Sequence, residues 1–244
     1  VRAISGTMKI GILQCDPVKE EFRTDYGNYP DMFHSLFAQV DQDLSFETYD
    51  VENQFYPKQM DDCDAYLITG SRYSVYDEEL WIRRLEQYVR QLHEKKKKLI
   101  GICFGHQLIA QALGGKTKEQ VEKGWGVGAS YCDWKSKATW LDEQPAAFTL
   151  WVSHRDQVTE LPAQAVLLFG NEFCPIAGFQ VGEHILTFQG HPEFTKQYLK
   201  ALMMSRTESI GKEKLNQAFN SLNSDTQHLD VASWILQFIR EKHS

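Results

Sequence analysis

Among its five cysteines, Cys15, Cys63, Cys103, Cys132 and Cys174, the sequence has no C-x-x-C pair. The usual signal of a zinc ribbon or a thioredoxin-type centre is therefore missing. No apolar run approaches the roughly 20 residues that cross a bilayer, so no membrane partner is signalled. No G-x-x-x-x-G-K-[ST] run or other glycine-rich phosphate loop occurs, and ATP-binding synthetase chemistry is not signalled either. Positive charge is short: the formal net charge is −7 and the one basic run is Lys95–Lys98. A nucleic-acid partner needs a concentrated positive face, which this balance argues against. The run reads instead as a solvated helix end, where cations suit the helix dipole. The opening "VRAISGT" lacks a charged-then-apolar leader pattern, and residues 1–7 read as an addition ahead of a natural start at Met8. An odd cysteine count with no leader fits a reducing cytoplasm. No repeat, low-complexity stretch or Gly/Pro/Ser-rich linker divides the chain, so residues 1–244 read as one domain.

What is present is an alternation of strand and helix. "MKIGILQC" reads as a buried strand ended by Asp16 and Pro17. "DMFHSLFAQV" places Met32, Phe33, Leu36, Phe37 and Val40 at helical spacing. "LSFETYDV" and "DAYLITG" read as strands, the second stopped by Gly70 and Ser71. "EELWIRRLEQYVRQLHEK" is a strong helix with Leu80, Leu85, Val89 and Leu92 on one face. "KLIGIC" is the next strand, and "HQLIAQALGG" is a helix closed by Gly114 and Gly115. This order predicts an α/β three-layer sandwich with a largely parallel central sheet. Between about residue 116 and residue 192 the helices drop out, leaving "GVGASYCDW", "FTLWVSH", "AVLLFGN", "IAGFQVG" and "HILTFQGH". These predict a small antiparallel extension, followed by a helical tail with a last helix within 225–244.

Cys103 stands at the join of a strand and a helix in Gly101-Ile102-Cys103-Phe104-Gly105, a G-x-C-x-G pattern. It is related to the G-x-S-x-G nucleophile elbow, whose sharp turn lifts a nucleophile from the end of a sheet. A helix N-terminus there favours thiolate over thiol, and the Phe104 N–H is free to face an oxyanion. Taken alone, the five residues fit a buried cysteine in an ordinary βα turn equally well. A cysteine nucleophile needs a base. His34, His93, His184, His228 and His243 carry no partner pattern, and His106 lies along the elbow helix. His191 differs, because "ILTFQGHPEF" ends a strand at His191-Pro192-Glu193. Residues two apart in extended chain share a side, so Glu193 can reach the His191 ring and fix its tautomer. An exposed strand-end turn is the alternative for these three residues.

Together, "GICFGHQLIAQALGG", "FQGHPEF", "YLITGSRYSVYD" and "WVSHRDQVTELP" resemble the class I glutamine amidotransferases, in particular the GMP-synthetase-type glutaminase domain in a stand-alone form. The resemblance implies hydrolysis of the glutamine γ-amide to glutamate and ammonia. Cys103 would be the nucleophile, His191 the acid and base, and Glu193 its orienting carboxylate. The Phe104 N–H and an N–H of Gly70 or Ser71 would hold the oxyanion. Gln107, Ser153, His154 and Asp156 would bind the glutamyl group. No metal or organic cofactor is implied; a small γ-glutamyl substrate, glutamine first, and an ammonia-accepting synthase subunit are. The "CFGHQ" elbow and "TGSRYS" loop equally resemble γ-glutamyl peptidases or hydrolases acting on γ-glutamyl peptides or glutathione conjugates, with Tyr73, Tyr76, Trp125 and Arg155 as candidates for the space beyond the carbonyl. A non-catalytic binding module is disfavoured by the presence of all three triad residues. Many family members have Gly-Gly-Pro where this chain has Gly70-Ser71-Arg72, and the GMP-synthetase branch usually has glycine where Arg155 stands.

Overall fold

The computed structural model describes residues 7–241, so most of the proposed leading addition (residues 1–6) and the end of the tail (242–244, with His243) lie outside the described residues. The chain opens with strand β1 (Met8–Gln14), two helices α1 (Glu20–Tyr26) and α2 (Tyr29–Ala38), and strands β2 (Leu44–Asp50) and β3 (Ala65–Ile68). Helix α3 (Leu80–Glu94) leads into β4 (Lys98–Ile102) and α4 (Phe104–Ala112). Seven strands follow: β5 (Lys116–Glu119), β6 (Gly126–Trp134), β7 (Ala147–His154), β8 (Asp156–Glu160), β9 (Ala165–Gly170), β10 (Gly178–Val181) and β11 (Ile185–Phe188). The tail holds α5 (Lys196–Ser205), α6 (Thr207–Ile210), α7 (Lys212–Ser221) and α8 (His228–Arg240).

Nine strands form one mixed sheet in the order β2-β1-β3-β4-β11-β10-β9-β6-β7. The first five are parallel and the remaining pairings are antiparallel. The antiparallel part thus continues the main sheet, and β5 pairs with β8 as a separate ribbon. One face of the sheet packs Ile10, Ile100 and Phe188 against Phe33 and Phe37 of α2 and Ile235 and Phe238 of α8. The other packs Tyr66, Leu99 and Phe179 against Leu85 and Val89 of α3 and Leu108 and Ile109 of α4. Each such fully buried side chain contributes about 2 kcal/mol of transfer free energy. A third cluster joins Trp151 and Phe194 to Tyr198, Leu202 and Leu215 of the tail helices.

Two local expectations change. Leu80 is 86% exposed, and the buried stripe of α3 runs through Trp81, Ile82, Leu85, Val89 and Leu92. Leu80 is the first helical residue, one step round from the stripe. The polar stretch after β1 also carries α1, which buries no residue and so leaves no periodic signal. Helix α2 then starts on a capping box, with Asn28 accepting from the Tyr29 N–H and Asp31 accepting from the Asn28 N–H at 2.8 Å.

The sheet order decides what meets at its carboxyl edge. Strand β4 lies between β3 and β11, with Ile68 beside Gly101 and Phe188 beside Ile102. The residues that follow these three strands are Gly70 and Ser71, Cys103, and Gln189 to Glu193. Segments far apart in sequence therefore emerge side by side, where ligands of open parallel sheets bind.

Candidate active site

Cys103 connects β4 to α4 with φ 52° and ψ −102°. A side chain other than glycine rarely holds such a conformation, which costs about 1–3 kcal/mol. The surroundings impose it. The Cys103 N–H donates to the Phe188 carbonyl at 2.8 Å, and its carbonyl accepts from the Gln107 N–H at 3.1 Å. The flanking glycines are needed because backbone meets backbone: a Cβ on Gly101 would lie 2.8 Å from the Gly105 carbonyl, and one on Gly105 would lie 2.5 Å from the Ile68 oxygen. Cys103 ends up 7% exposed on the wall of an open cleft.

His191 is fixed on every side. Its N–H donates to the Trp151 carbonyl at 2.8 Å, and its ring lies flat on Phe194, with centroids 3.8 Å apart. Nδ1 donates to Glu193 Oε1 at 2.5 Å. That contact uses one ring nitrogen and leaves Nε2 to take another partner. Burial opposes charge on this imidazole, but the Glu193 carboxylate and the Cys103 sulfur outweigh it and raise its pKa to about 10. The imidazolium form is thus favoured at neutral pH. Gln189 Nε2 also donates to Cys103 Sγ at 3.5 Å, and its own oxygen accepts from Gln107 Nε2 at 3.0 Å.

The loop after β3 closes the other side. Among the described residues, the N–H groups of Gly70, Ser71 and Phe104 donate to no other group. Neither Gly70 nor Ser71 has a positive φ, so serine here carries no backbone strain. Instead Ser71 Oγ donates to the Cys15 carbonyl at 3.3 Å and accepts from the Tyr73 N–H at 3.2 Å. Buried Asp16 accepts from both the N–H and the guanidinium of Arg72.

The cleft has a volume of about 280 Å³ and includes all four residues read from the sequence as glutamyl-binding: Gln107, Ser153, His154 and Asp156. Several of their groups are engaged by the protein. Gln107 Nε2 donates to the Asp156 carbonyl at 2.9 Å as well as to Gln189. The Asp156 carboxylate accepts from the Ser74 and Tyr76 hydroxyls at 2.6 and 2.8 Å. His154 Nδ1 donates to the Asp156 carbonyl at 2.9 Å, and burial pushes its pKa down to about 4, so the ring is neutral. Ser153 Oγ accepts from Arg206 at 2.9 Å. Tyr73, Trp125 and Arg155 line the cleft too, with Arg155 paired to Glu119 at 3.1 Å.

Sequence reasoning missed three contributors. Gln189 was findable, since it lies two residues before His191 on a strand end and so shares its side. Arg206 comes from the tail, where no motif marks it, and Asp16 reads as a strand terminator. His93 does have a partner: its Nδ1 lies 2.9 Å from His184 Nε2. His106 points inward to Thr187 and the Ile176 carbonyl, and burial pushes its pKa to about 3. Among the described residues no group of three or more His, Cys, Asp or Glu converges as a metal site, and no helix is long and apolar enough to cross a membrane.

A cysteine at a strained strand–helix turn and a histidine held by a carboxylate line one cleft, near N–H groups with no partner among the described residues, and these are the kinds of group that acyl transfer from a carbonyl requires. Comparison with known proteins points the same way. The family model described as glutamine amidotransferase class-I matches residues 26–207. The chain is 30% identical to gamma-glutamyl peptidase 2 of Arabidopsis thaliana, over 91% of this chain and 93% of that protein. It is 33% identical to gamma-glutamyl peptidase 3 of the same plant, over 76% of each. A crystal structure of a glutamine amidotransferase from Thermotoga maritima shares the fold, with a TM-score of 0.73 at 19% identity over 96% of both chains.

Proposed function

The chain belongs to the class-I glutamine amidotransferase family, and from that premise we propose that it is a γ-glutamyl peptidase, hydrolysing the γ-glutamyl bond of small peptides through a cysteine thioester. The observation that carries this reading is the His191 ring, held by Glu193 on one nitrogen and lining the same open cleft as Cys103. Cys103 Sγ attacks the γ-carbonyl carbon, and the resulting oxyanion is held by the Phe104 N–H and an N–H of Gly70 or Ser71. Losing one such donor typically costs about 3 kcal/mol of barrier. As the C–N bond breaks, His191 gives its proton to the departing amine. His191 then takes a proton from water, hydroxide adds to the thioester, and glutamate leaves as the thiol re-forms. Glu193 keeps the ring aligned. Asp156 receives the α-ammonium of the glutamyl group, and Gln107, Ser153 and His154 line its seat.

Glutamine comes first on sequence alone, because every catalytic residue serves its amide equally well. The peptide is now favoured on two grounds. Two relatives that cover 91% and 76% of the chain carry the name gamma-glutamyl peptidase, and the cleft is open, with Trp125, Arg155 and Arg206 on its walls beside the residues read as seating the glutamyl group. An ammonia-accepting synthase partner belongs only to the glutamine reading. The test is glutamate release from glutamine, glutathione and γ-glutamyl dipeptides in parallel, with Cys103→Ala as control. Turnover of peptides well above glutamine is expected; preference for glutamine would return the assignment to a glutaminase.

A further inference from the structure

Gln189 follows β11 directly and is only 1% exposed. Its backbone N–H donates to the Ala177 carbonyl at 2.8 Å, and two residues on, the His191 N–H is held by the Trp151 carbonyl. A buried amide costs stability unless its polar atoms are bonded. Both ends of this one are. Gln189 Oε1 accepts from Gln107 Nε2 at 3.0 Å, and Gln189 Nε2 donates to Cys103 Sγ at 3.5 Å.

The direction of that amide is fixed by its neighbours. The chain of bonds starts at the Asp156 carbonyl, which can only accept. It takes one N–H of Gln107 at 2.9 Å, so the nitrogen of Gln107 is the atom turned toward it. The second N–H of the same nitrogen goes to Gln189, which must present its oxygen. The nitrogen of Gln189 is then left facing the sulfur. A flipped Gln189 would set N–H groups against each other. Gln107 thus positions Gln189, and Gln189 aims a donor at the nucleophile. A neutral thiol accepts weakly, whereas a hydrogen bond to an anion is about twice as strong as a neutral one. The donor therefore favours the charged form of Cys103.

We infer that Gln189 is a further catalytic residue, an N–H donor that stabilises the Cys103 sulfur as a thiolate before attack and again as the leaving group when the thioester is hydrolysed. As the sulfur attacks, its electron pair forms the S–C bond and the carbonyl oxygen takes up the charge. Once hydroxide has added to the thioester, the C–S bond breaks and its electron pair returns to the sulfur beside Gln189. The inference rests on Cys103 as the nucleophile, and it holds for glutamine and for γ-glutamyl peptides alike.

The experiment is alkylation of Cys103 by iodoacetamide, which needs no glutamyl seat. Rates are compared between about pH 5 and pH 9 for the unmodified protein and for Gln189→Met, an unbranched side chain without the amide. Cys103→Ala corrects for the other four cysteines, all buried. Among the described residues, the titratable groups around the sulfur are His191 and Cys174, whose pKa burial pushes up to about 12. His154, Asp156 and the lysine and arginines of the cleft line the same space. The Gln189 amide bonds to none of these side chains, so their titration is common to both proteins. On the acid limb Gln189→Met should react about threefold to tenfold more slowly, the scale of one charge-assisted hydrogen bond partly offset by a more nucleophilic sulfur. On the alkaline plateau it should react at least as fast, whereas a packing defect would slow it at every pH. Turnover of a γ-glutamyl dipeptide should show kcat about tenfold lower and KM little changed, because Gln189 does not line the cleft. Gln107→Leu leaves Gln189 without its anchor and should move the alkylation limb the same way by less; it decides the matter if Gln189→Met does not fold. An acid limb that stays in place overturns the role of Gln189 and leaves Cys103 as the nucleophile. A Cys103 that resists alkylation at every pH overturns both.

Discussion

Asp16 Oδ2 accepts the backbone N–H of Arg72 at 2.8 Å while Oδ1 accepts its guanidinium at 3.0 Å. One buried carboxyl after β1 thus fixes the residue next to Gly70 and Ser71. Burial drives this carboxyl toward protonation, and despite the pull of Arg72 its pKa rises from 3.8 to about 6. Ionising it therefore costs stability: the cost is absent below about pH 4 and complete above about pH 6. Protonation in the same window releases the charge that holds Arg72. We expect kcat/KM for γ-glutamyl hydrolysis to fall on the acid side through a limb near pH 6. Asp16→Asn should be several-fold less active at neutral pH and lack that limb. An identical limb in the variant would assign it to another group.

The strain at Cys103 makes a prediction about stability that runs against habit. Replacing a residue with glycine usually destabilises through chain entropy. At φ 52° and ψ −102° the balance reverses, because alanine keeps the steric conflict and glycine has none. Both Cys103→Ala and Cys103→Gly should be inactive, the nucleophile being gone. Cys103→Gly should nevertheless be the more stable of the two by about 1 kcal/mol, read from urea unfolding. An alanine variant at least as stable would mean that the elbow relaxes when the thiol is removed.

The same elbow shows what the sequence could and could not convey. Strand β4 and helix α4 were legible from an apolar run, a cysteine between two glycines and a helical repeat, because each signal is local. The line-up of Cys103 with His191 was legible only through the family's motifs, since the register of β4 with β11 depends on pairing across more than eighty residues. Leu80 was misplaced because a helical stripe read from spacing alone does not say where the helix begins. Arg206 left no trace, because its place in the cleft comes from where the tail packs and from Trp125 and Ser153, which other segments supply. Asp16 was hidden in the same way: its meaning lies in Arg72, reached only when β1 and β3 pair.

Gly105→Ala tests the close approach of helix and sheet. The added methyl would sit 2.5 Å from the Ile68 carbonyl oxygen and 2.9 Å from the Ile68 Cβ. Both belong to β3, clamped between β1 and β4, so neither can yield cheaply. A loss of about 2–3 kcal/mol of stability is expected, the upper range for overpacking. Surviving protein should also lose activity, since displacing α4 moves the Phe104 N–H away from Cys103. A variant with unchanged stability and turnover would show that α4 can shift as a body without disturbing the site.

In the proposed mechanism Glu193 acts only through His191, and its removal should read out as a change in pH dependence. Its Oε1 takes the Nδ1 proton contact at 2.5 Å, while its Oε2 is buried with no partner among the described residues. Glu193→Gln can therefore keep the accepting oxygen on His191 and place its amide nitrogen where no donor is displaced, so the geometry survives and the charge is lost. Burial is the strongest single influence on the His191 ring and pulls its pKa down; the Glu193 charge is the first of the forces that raise it to about 10. With the carboxylate present, the raised pKa contributes stability that is complete below about pH 6.5 and lost as pH rises through about 10. Without it the imidazolium gives up its proton at lower pH. We expect the alkaline limb of kcat/KM to move to lower pH, and kcat near pH 7 to drop by about a hundredfold, within the range for weakened acid–base catalysis. KM should change little, because Glu193 lies behind the ring and does not line the cleft. Glu193→Asp should recover little, since the shortened side chain cannot span the contact. An alkaline limb that stays in place would mean that the charge on Glu193 does not govern the protonation of His191, and would reduce its role to packing.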